Sequence, residues 1–97
     1  MRLYINDLGI LSAAGNNGGE MLHHLQAGDR SGLVRTDEYS PHKAVYLGAV
    51  QAELPEIGEK YSIYDCRNNQ LLLAASCQIK ATVKRMIKNY GVDRIGV

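Results

Sequence analysis

Residues 69–90 read NQLLLAASCQIKATVKRMIKNY and form the most regular stretch of this 97-residue chain. Apolar side chains recur in it every three or four residues, the spacing that places them along one side of an α-helix. Gly91 follows directly and is a typical helix-ending residue. The pattern therefore predicts one long amphipathic helix. Its apolar side consists of Leu72, Ala75, Ile79, Val83, Met86, Ile87 and Tyr90.

Three short apolar runs flank this helix and have the length and composition of β-strands. Residues 3–11 read LYINDLGIL, residues 44–50 read AVYLGAV, and residues 94–97 read RIGV. Gly9, inside the first run, indicates that another part of the backbone approaches closely there. We expect a strand at each of the three runs.

A second, shorter helix is predicted after the glycine-rich loop 12–19. Asn17 can accept a hydrogen bond from the first turn, and Glu20 stands three residues later, as in a capping box. Gly28 follows about ten residues on, where a left-handed residue ends many helices. We expect helix from Asn17 to Gly28, with an apolar stripe formed by Met21, Leu22 and Leu25.

The resulting order of strand, helix, strand, helix and strand start is the opening of an α/β domain. Segment 29–43 is predicted to be irregular, and segment 53–64, with Pro55 and Gly58, to be an ordered loop rather than a linker. A strand in the last four residues lacks a turn, a partner and a polar cap, which its backbone groups need. We therefore expect residues 1–97 to be a partial domain, truncated after the start of a core strand.

Composition excludes several classes of protein. The chain has room for one domain, and 45% hydrophobic and 22% charged residues are ordinary for a globular protein. No run approaches the roughly 18 apolar residues of a membrane span, and the start lacks a secretory signal. A net charge of +1 predicts neither nucleic acid nor an anionic membrane as partner. The two cysteines predict reduced thiols and a cytoplasmic protein.

Charge is divided unevenly along the chain. Residues 1–65 carry five Lys/Arg against nine Asp/Glu, whereas residues 66–97 carry six Lys/Arg against Asp93 alone. Such asymmetry is explained either by a solvated helix surface or by an acidic partner of the second half. The cations concerned are predicted to gather on one side of the long helix: Lys80, Lys84, Arg85 and Lys88.

Candidate sites in the sequence favour structural interpretations. The loop Gly15–Gly19 precedes a helix, as phosphate loops do, but it matches neither common glycine-rich nucleotide motif, so a turn and helix cap is favoured. His23 and His24 are adjacent, and their side chains diverge by roughly 100° on a helix, so they cannot chelate one metal together. They are expected to be solvent-facing or half-buried, and His42 is a loop residue without a visible partner.

The two cysteines are weak candidates for a nucleophile. Cys77 lies inside the long helix, where a small apolar packing residue is expected. Cys66, beside Arg67 and near the helix start, is the better thiolate candidate. The residues themselves predict no catalytic, cofactor-binding or metal-binding site.

Residues 4–16, YINDLGILSAAGN, resemble the amino-terminal signature of β-ketoacyl-[acyl carrier protein] synthases. In that family the first strand continues into T-G-[LM]-G, which is followed by two hydrophobic residues and then by [ST]-x-x-G. In this chain Asn6-Asp7 stands in place of the Thr-Gly. Residues 25–33, LQAGDRSGL, are similar to the family's L-x-x-G-x-S-G-[IL] segment with one extra residue. Three further segments match in the same order: 47–50 (LGAV), 70–75 (QLLLAA) and 94–97 (RIGV).

The resemblance implies the amino-terminal part of a thiolase-like α/β/α layered fold. It also implies a parent reaction, the decarboxylative Claisen condensation of an acyl thioester with malonyl-[acyl carrier protein] in fatty acid or polyketide-type synthesis. The family's nucleophilic cysteine and two histidines lie beyond position 97, and neither Cys66 nor Cys77 occupies the nucleophile's motif. We expect this chain to be inactive alone. The family also contains non-catalytic partners of an active subunit, which this segment does not distinguish.

The resemblance implies acyl carrier protein as a partner, docked in the family partly through basic residues just before the long helix. Only Lys60 and Arg67 fall near that place here, and residues 61–64, YSIY, stand where the basic cluster is expected. Docking of the carrier through this segment is therefore predicted to be lost or rearranged.

A different class of function stays open beside the ketosynthase hypothesis. The chain is alternatively a free-standing small α/β interaction domain, or a non-catalytic partner subunit, that binds an acidic protein. In either case strands without neighbours and a long apolar helix side favour self-association. We expect a homo-oligomer formed through the long helix and the free strand edges.

Overall fold

The computed structural model describes all residues from Met1 to Val97 and divides them into two compact units. One unit combines Met1–Gly9 with Pro55–Val97, and the other is Ile10–Leu54. The helices and strands are α1 (Gly18–Ala27), β1 (Leu33–Thr36), β2 (Val45–Gly48) and α2 (Arg67–Tyr90). Two short 3₁₀ segments, Glu59–Tyr64 and Val92–Arg94, flank α2 along the chain.

Helix α2 confirms the long helix predicted at 69–90 and begins two residues earlier. Its first turn is tied to the preceding 3₁₀ segment by side chains, because Asn69 Nδ2 donates to the Tyr64 carbonyl at 2.8 Å and Gln70 Nε2 to Asp65 Oδ1 at 2.8 Å. At the other end Gly91 has φ 89°, which favours glycine, and its N–H donates to the Ile87 carbonyl at 2.9 Å. Polar contacts at both ends therefore fix the length of α2.

The chain before residue 10 runs directly against α2. A Cβ added to Gly9 would collide with the Ala75 carbonyl oxygen, so the absence of a side chain permits this approach. The close approach predicted for Gly9 is thus confirmed. The strand predicted over 3–11 is wrong: these residues form neither helix nor strand, because a β-ladder needs a neighbouring strand and the backbone beside Gly9 belongs to a helix.

In the second unit, the caps predicted for α1 are confirmed. Asn17 Oδ1 accepts the Glu20 N–H at 2.9 Å, while Glu20 Oε2 accepts the N–H of Asn16 at 2.8 Å. Gly28 ends the helix in the left-handed conformation, with φ 66° and ψ 25°. The capping side chains satisfy two backbone N–H groups at the helix entrance and so set where α1 begins.

Strands β1 and β2 form an antiparallel hairpin with Leu33 opposite Gly48 and Thr36 opposite Val45. Strand β2 confirms the prediction at 44–50. Strand β1 lies inside segment 29–43, so the prediction that this segment is irregular is wrong. Its four residues, LVRT, are too few to show alternation, and the pairing with β2 defines them as a strand.

The strand predicted at 94–97 is also wrong. Val92–Arg94 forms a 3₁₀ turn, and residues 95–97 have no regular structure and no strand beside them. The chain therefore combines helices with a two-stranded antiparallel sheet, rather than the strand, helix, strand, helix and strand start that the sequence predicted.

No apolar side chain of the chain is fully buried. The accessible surface is 8270 Å², whereas a folded monomer of this mass exposes about 5,500 Å². Leu3 and Ile5 stay 83% and 93% exposed. This much apolar surface in contact with water favours association with further protein surface.

Replacing Gly9 tests whether the approach to α2 holds residues 1–9 in place. Gly9→Ala should lower the free energy of unfolding by about 1–3 kcal/mol, because the new methyl group meets backbone that cannot move aside. Gly58→Ala is the matched control, since a Cβ at Gly58 meets nothing within 4 Å. Urea titrations followed by circular dichroism, at one protein concentration, compare the two. Equal losses in both variants would contradict the packing described.

The exposed surface leads us to expect self-association of the isolated chain. Both strands of a two-stranded sheet have an open edge, and an isolated hairpin is marginal in water. Sedimentation velocity at micromolar concentration should show species larger than 10.7 kDa. A compact 10.7 kDa monomer with one cooperative melting transition would contradict this expectation.

Candidate functional site

The surface of α2 carries most of the chain's candidate binding groups. A groove of about 310 Å³ runs along this helix, and most of its lining is apolar. Its side chains follow one another at helical spacing over about three turns. The groove, called the α2 groove below, is lined by Leu73, Ser76, Cys77, Ile79, Lys80, Val83, Lys84 and Val97.

A different side of α2 receives the Asp7 carboxylate. Asp7 accepts a hydrogen bond from the Thr82 side chain and one from the Leu8 N–H at 2.9 Å. These bonds, led by that from Thr82 and helped by the nearby Arg85, hold the pKa of Asp7 below its ordinary value of 3.8. Asp7 therefore ties residues 1–9 to α2 two residues from the close approach at Gly9.

The basic side chains that the sequence placed on one side of α2 have different neighbours in the structure. Arg85 lies near Asp7, whereas Lys80 and Lys84 line the α2 groove. Lys88 lines neither of these places. All four nevertheless lie within about 140° of the circumference of this continuous helix, so the prediction of one basic side of α2 holds.

Both cysteines are free and exposed. The expectation that Cys77 is a packed apolar residue is wrong, because its side chain lines the α2 groove. Cys66 is the N-cap of α2 and makes no side-chain capping hydrogen bond. The two thiols therefore lie at different positions along α2: Cys66 at its start and Cys77 in the α2 groove.

In the second unit, His24 connects α1 to the turn at Ser12–Gly15. Its Nδ1 lies 2.7 Å from the Ala14 carbonyl oxygen, and Nε2 lies 3.9 Å from Asp29 Oδ2. The carbonyl can only accept, so Nδ1 carries the proton. Hydrogen bonds from Ser31, followed by the nearby His24, lower the pKa of Asp29. The expectation of a half-buried histidine is confirmed for His24, but its role in bridging these segments had no signal in the sequence.

The other predicted candidates stay apart from one another. His23 lies beside His24 with ring centroids 5.7 Å apart and tilted planes, while His42 lies in the hairpin loop at φ 67°. At the start of the glycine-rich loop the backbone is hydrogen-bonded to itself. The N–H of Ser12 donates to the Gly15 carbonyl at 2.9 Å, and the N–H of Gly15 donates to the Ser12 carbonyl at 3.3 Å. No group of three His, Cys, Asp or Glu side chains is placed to hold a metal ion.

The 3₁₀ segment before α2 presents aromatic and aliphatic side chains instead of a basic cluster. Tyr61, Ile63 and Tyr64 are exposed, and the Lys60 ammonium lies 5.3 Å from the centroid of the Tyr61 ring. Two cations and two carboxylates balance within residues 59–67. Sequence reasoning identified this segment correctly as poor in positive charge.

None of the helices combines the length and the apolar character that crossing a membrane requires.

Comparison with known proteins gives one informative match. No family model matches the chain, and no curated protein matches it either. Among solved structures, the chain is similar to the ketosynthase ApeO of Xenorhabdus doucetiae, which was determined in complex with its chain length factor ApeC. The two share 38% sequence identity with a TM-score of 0.82, over 91% of this chain and 22% of the ketosynthase.

The resemblance to the β-ketoacyl synthase family is therefore confirmed, and it concerns a segment of such a protein. This chain spans 22% of the length of the ketosynthase that it matches. The match also suggests a thiolase-like fold. The helices and the two-stranded sheet described above are compatible with a fragment of such an α/β fold.

The Asp7–Thr82 hydrogen bond predicts a measurable titration. Because folding lowers the pKa of Asp7, its contribution to stability is present above the unfolded value near 3.8 and is lost as the pH falls through the folded value. Thr82→Val should raise the Asp7 pKa, measured from the side-chain carbonyl shift by NMR. Thr36→Val, whose hydroxyl accepts the Glu38 N–H in the other unit, is the control. An Asp7 pKa that does not respond to Thr82→Val would contradict the assignment.

Proposed function

We propose that this chain is the amino-terminal segment of a ketosynthase-like protein and serves as part of its scaffold rather than of its catalytic machinery. The observation that supports this most strongly is the 38% identity and TM-score of 0.82 over 91% of the chain. The exposed surface of 8270 Å² supports it as well, since a segment of a larger fold leaves uncovered what the remainder would bury.

The proposed parent reaction is the decarboxylative Claisen condensation. An acyl group held as a thioester is attacked by the carbanion that forms when malonyl-[acyl carrier protein] loses carbon dioxide. The products are a 3-oxoacyl-[acyl carrier protein] and the released thiol. None of this chain's side chains supplies the nucleophile or the histidine pair of that chemistry, because both cysteines lie outside the family's nucleophile motif.

The proposed contribution of this chain is structural. Gly9 and Asp7 hold the first nine residues on α2, and the hairpin pairs β1 with β2 through main-chain hydrogen bonds. The hairpin presents open strand edges, and both arrangements present apolar side chains to whatever lies beside them. A parent protein would use them as the first layer on which later strands assemble.

The proposed partners follow from the same comparison. Because the similar ketosynthase was solved with a chain length factor, we propose that the parent of this chain also works in a pair of subunits, as the catalytic or the non-catalytic member. The Tyr61–Tyr64 segment offers apolar contacts and no excess positive charge. Acyl carrier protein would therefore dock elsewhere on the parent.

A second candidate function is an interaction domain that binds an acidic protein. The observation in its favour is that α2 carries five Lys/Arg and no Asp or Glu. The DNA downstream of codon 97 discriminates the two proposals. A reading frame that continues into a small-residue turn and later a cysteine supports the ketosynthase-like parent, and a stop codon favours the interaction domain.

The absence of the family's catalytic residues predicts no condensation by the isolated chain. Incubation with an acyl thioester and malonyl-[acyl carrier protein], followed by mass spectrometry of the carrier, should show no 3-oxoacyl product. Acylation of the exposed Cys66 or Cys77 without condensation is compatible with this expectation. Turnover above background that disappears in Cys66→Ala or Cys77→Ala would overturn it.

A further inference from the structure

Asn17 and Gly18 form the single Asn-Gly pair of the chain, since every other asparagine precedes a residue that has a side chain. The side-chain amide of an asparagine can be attacked by the backbone nitrogen of the next residue. Glycine hinders this attack least, because it has no Cβ. Asn17 is exposed and is the N-cap of α1, and Gly18 is the first residue of that helix. The pair therefore combines a reactive sequence with a position that determines where α1 begins.

The cap of α1 keeps the two reacting groups out of the geometry in which they can combine. The reaction forms a five-membered cyclic imide, which is nearly planar, so the Gly18 nitrogen has to eclipse the Asn17 Cβ about the Cα–C bond. In the structure Asn17 has ψ 172°, which places the Gly18 nitrogen trans to the Asn17 nitrogen and gauche to its Cβ. Ring closure therefore requires a rotation about ψ of Asn17.

Two hydrogen bonds oppose this rotation. The Asn17 side-chain Oδ1 accepts the Glu20 N–H at 2.9 Å, and the Asn17 carbonyl accepts the Met21 N–H at 3.0 Å. Rotation turns the carbonyl away from Met21, and attack on Cγ draws the amide away from Glu20. Glu20 also fixes the preceding residue, because its Oε2 accepts the Asn16 N–H at 2.8 Å. The first turn of α1 therefore has to open before the pair can react.

We propose that Asn17–Gly18 is a site of spontaneous deamidation whose rate is controlled by the cap of α1. The Gly18 nitrogen forms a bond to the Asn17 Cγ and releases its proton, while the Cγ–Nδ2 bond breaks and ammonia leaves. Water then opens the cyclic imide at one of its two carbonyl carbons. One water molecule is consumed, one ammonia is released, and nothing is oxidised or reduced, so water is the only co-reactant.

The two products have opposite effects on α1. Opening at Cγ's own carbonyl bond gives aspartate at position 17, whose carboxylate still accepts the Glu20 N–H and is favourable at a helix N-terminus. Opening at the main-chain carbonyl carbon gives isoaspartate, in which the chain passes through Cβ and Cγ and gains one backbone atom. This product displaces both acceptors that Glu20 and Met21 use. Formation of isoaspartate therefore makes the opening of α1 irreversible.

The inference goes beyond the ketosynthase-like assignment and does not depend on it. Every contact that it uses lies within the unit Ile10–Leu54, and the reaction needs no partner protein.

Comparison of the 97-residue chain with an uncapped peptide tests the proposal. The peptide has the sequence of residues 12–19 and is too short to hold a helix. Both are incubated at mildly alkaline pH in water labelled with heavy oxygen, and mass spectrometry after digestion measures the label incorporated at Asn17. Electron-transfer fragmentation distinguishes aspartate from isoaspartate. The chain should react at least about fivefold more slowly than the peptide, the factor that corresponds to one capping hydrogen bond. In concentrated urea the two rates should become equal.

Two variants of the chain separate the cap from general effects of charge. Glu20→Ala removes the acceptor of the Asn16 N–H and should raise the rate at Asn17 about twofold or more. Glu56→Ala removes an exposed carboxylate in the other unit and should leave the rate unchanged. Gly18→Ala is made in the peptide, where no helix forms, and should remove most of the product at Asn17.

Each contrary result overturns the proposal. Equal rates in the chain and the peptide without urea would show that the cap gives no control. Equal effects of Glu20→Ala and Glu56→Ala would lead to the same conclusion. More product at another asparagine than at Asn17 in urea would show that the site is assigned wrongly. A failed condensation assay or an unexpected reading frame bears on the ketosynthase-like parent and leaves these outcomes unaffected.

Discussion

The contact between Gly9 and the backbone of α2 is the constraint on which the first unit depends. A side chain at position 9 would occupy the place of the Ala75 carbonyl oxygen, so only glycine lets residues 1–9 lie against the helix. Asp7 strengthens that position through Thr82, because the carboxylate is bonded in the folded chain. Glycine at position 9 lets the backbone approach α2, and the hydrogen bond from Thr82 to Asp7 fixes which part of α2 the segment contacts. Residues 1–9 are therefore held in place although they form no strand.

Steric constraint of the same kind recurs in the second unit. A Cβ at Gly32 would collide with the Ala13 carbonyl, and one at Gly48 would come within 2.9 Å of the Ala13 side chain. The segment before α1 therefore lies against the hairpin where β1 begins and β2 ends. Since Leu33 and Gly48 are opposite each other in the register, small residues at one end of the hairpin make room for the chain that precedes it. Apolar burial contributes little here, because no large apolar side chain is fully covered.

Sequence reasoning succeeded where the determinants are local. Helical periodicity gave α2 to within two residues at its start, and Asn17, Glu20 and Gly28 gave both ends of α1, since capping involves neighbours three or four residues apart. It failed for residues 3–11 and 94–97, because a strand exists only if another strand pairs with it. For the site, the cationic excess on α2 was visible, but its division between Asp7 and the α2 groove depends on which side of the helix the first nine residues cover.

Although the net charge is only +1, the acidic and the basic side chains of this chain make different kinds of contact. Glu20, Asp29 and Asp65 accept hydrogen bonds from backbone N–H groups or the Gln70 amide, within five residues along the chain, and so serve caps and turns. Lysines cannot serve the same N–H groups, because an ammonium group only donates. These three carboxylates are therefore bonded to groups close to them along the chain, whereas Lys80 and Lys84 line the largely apolar α2 groove.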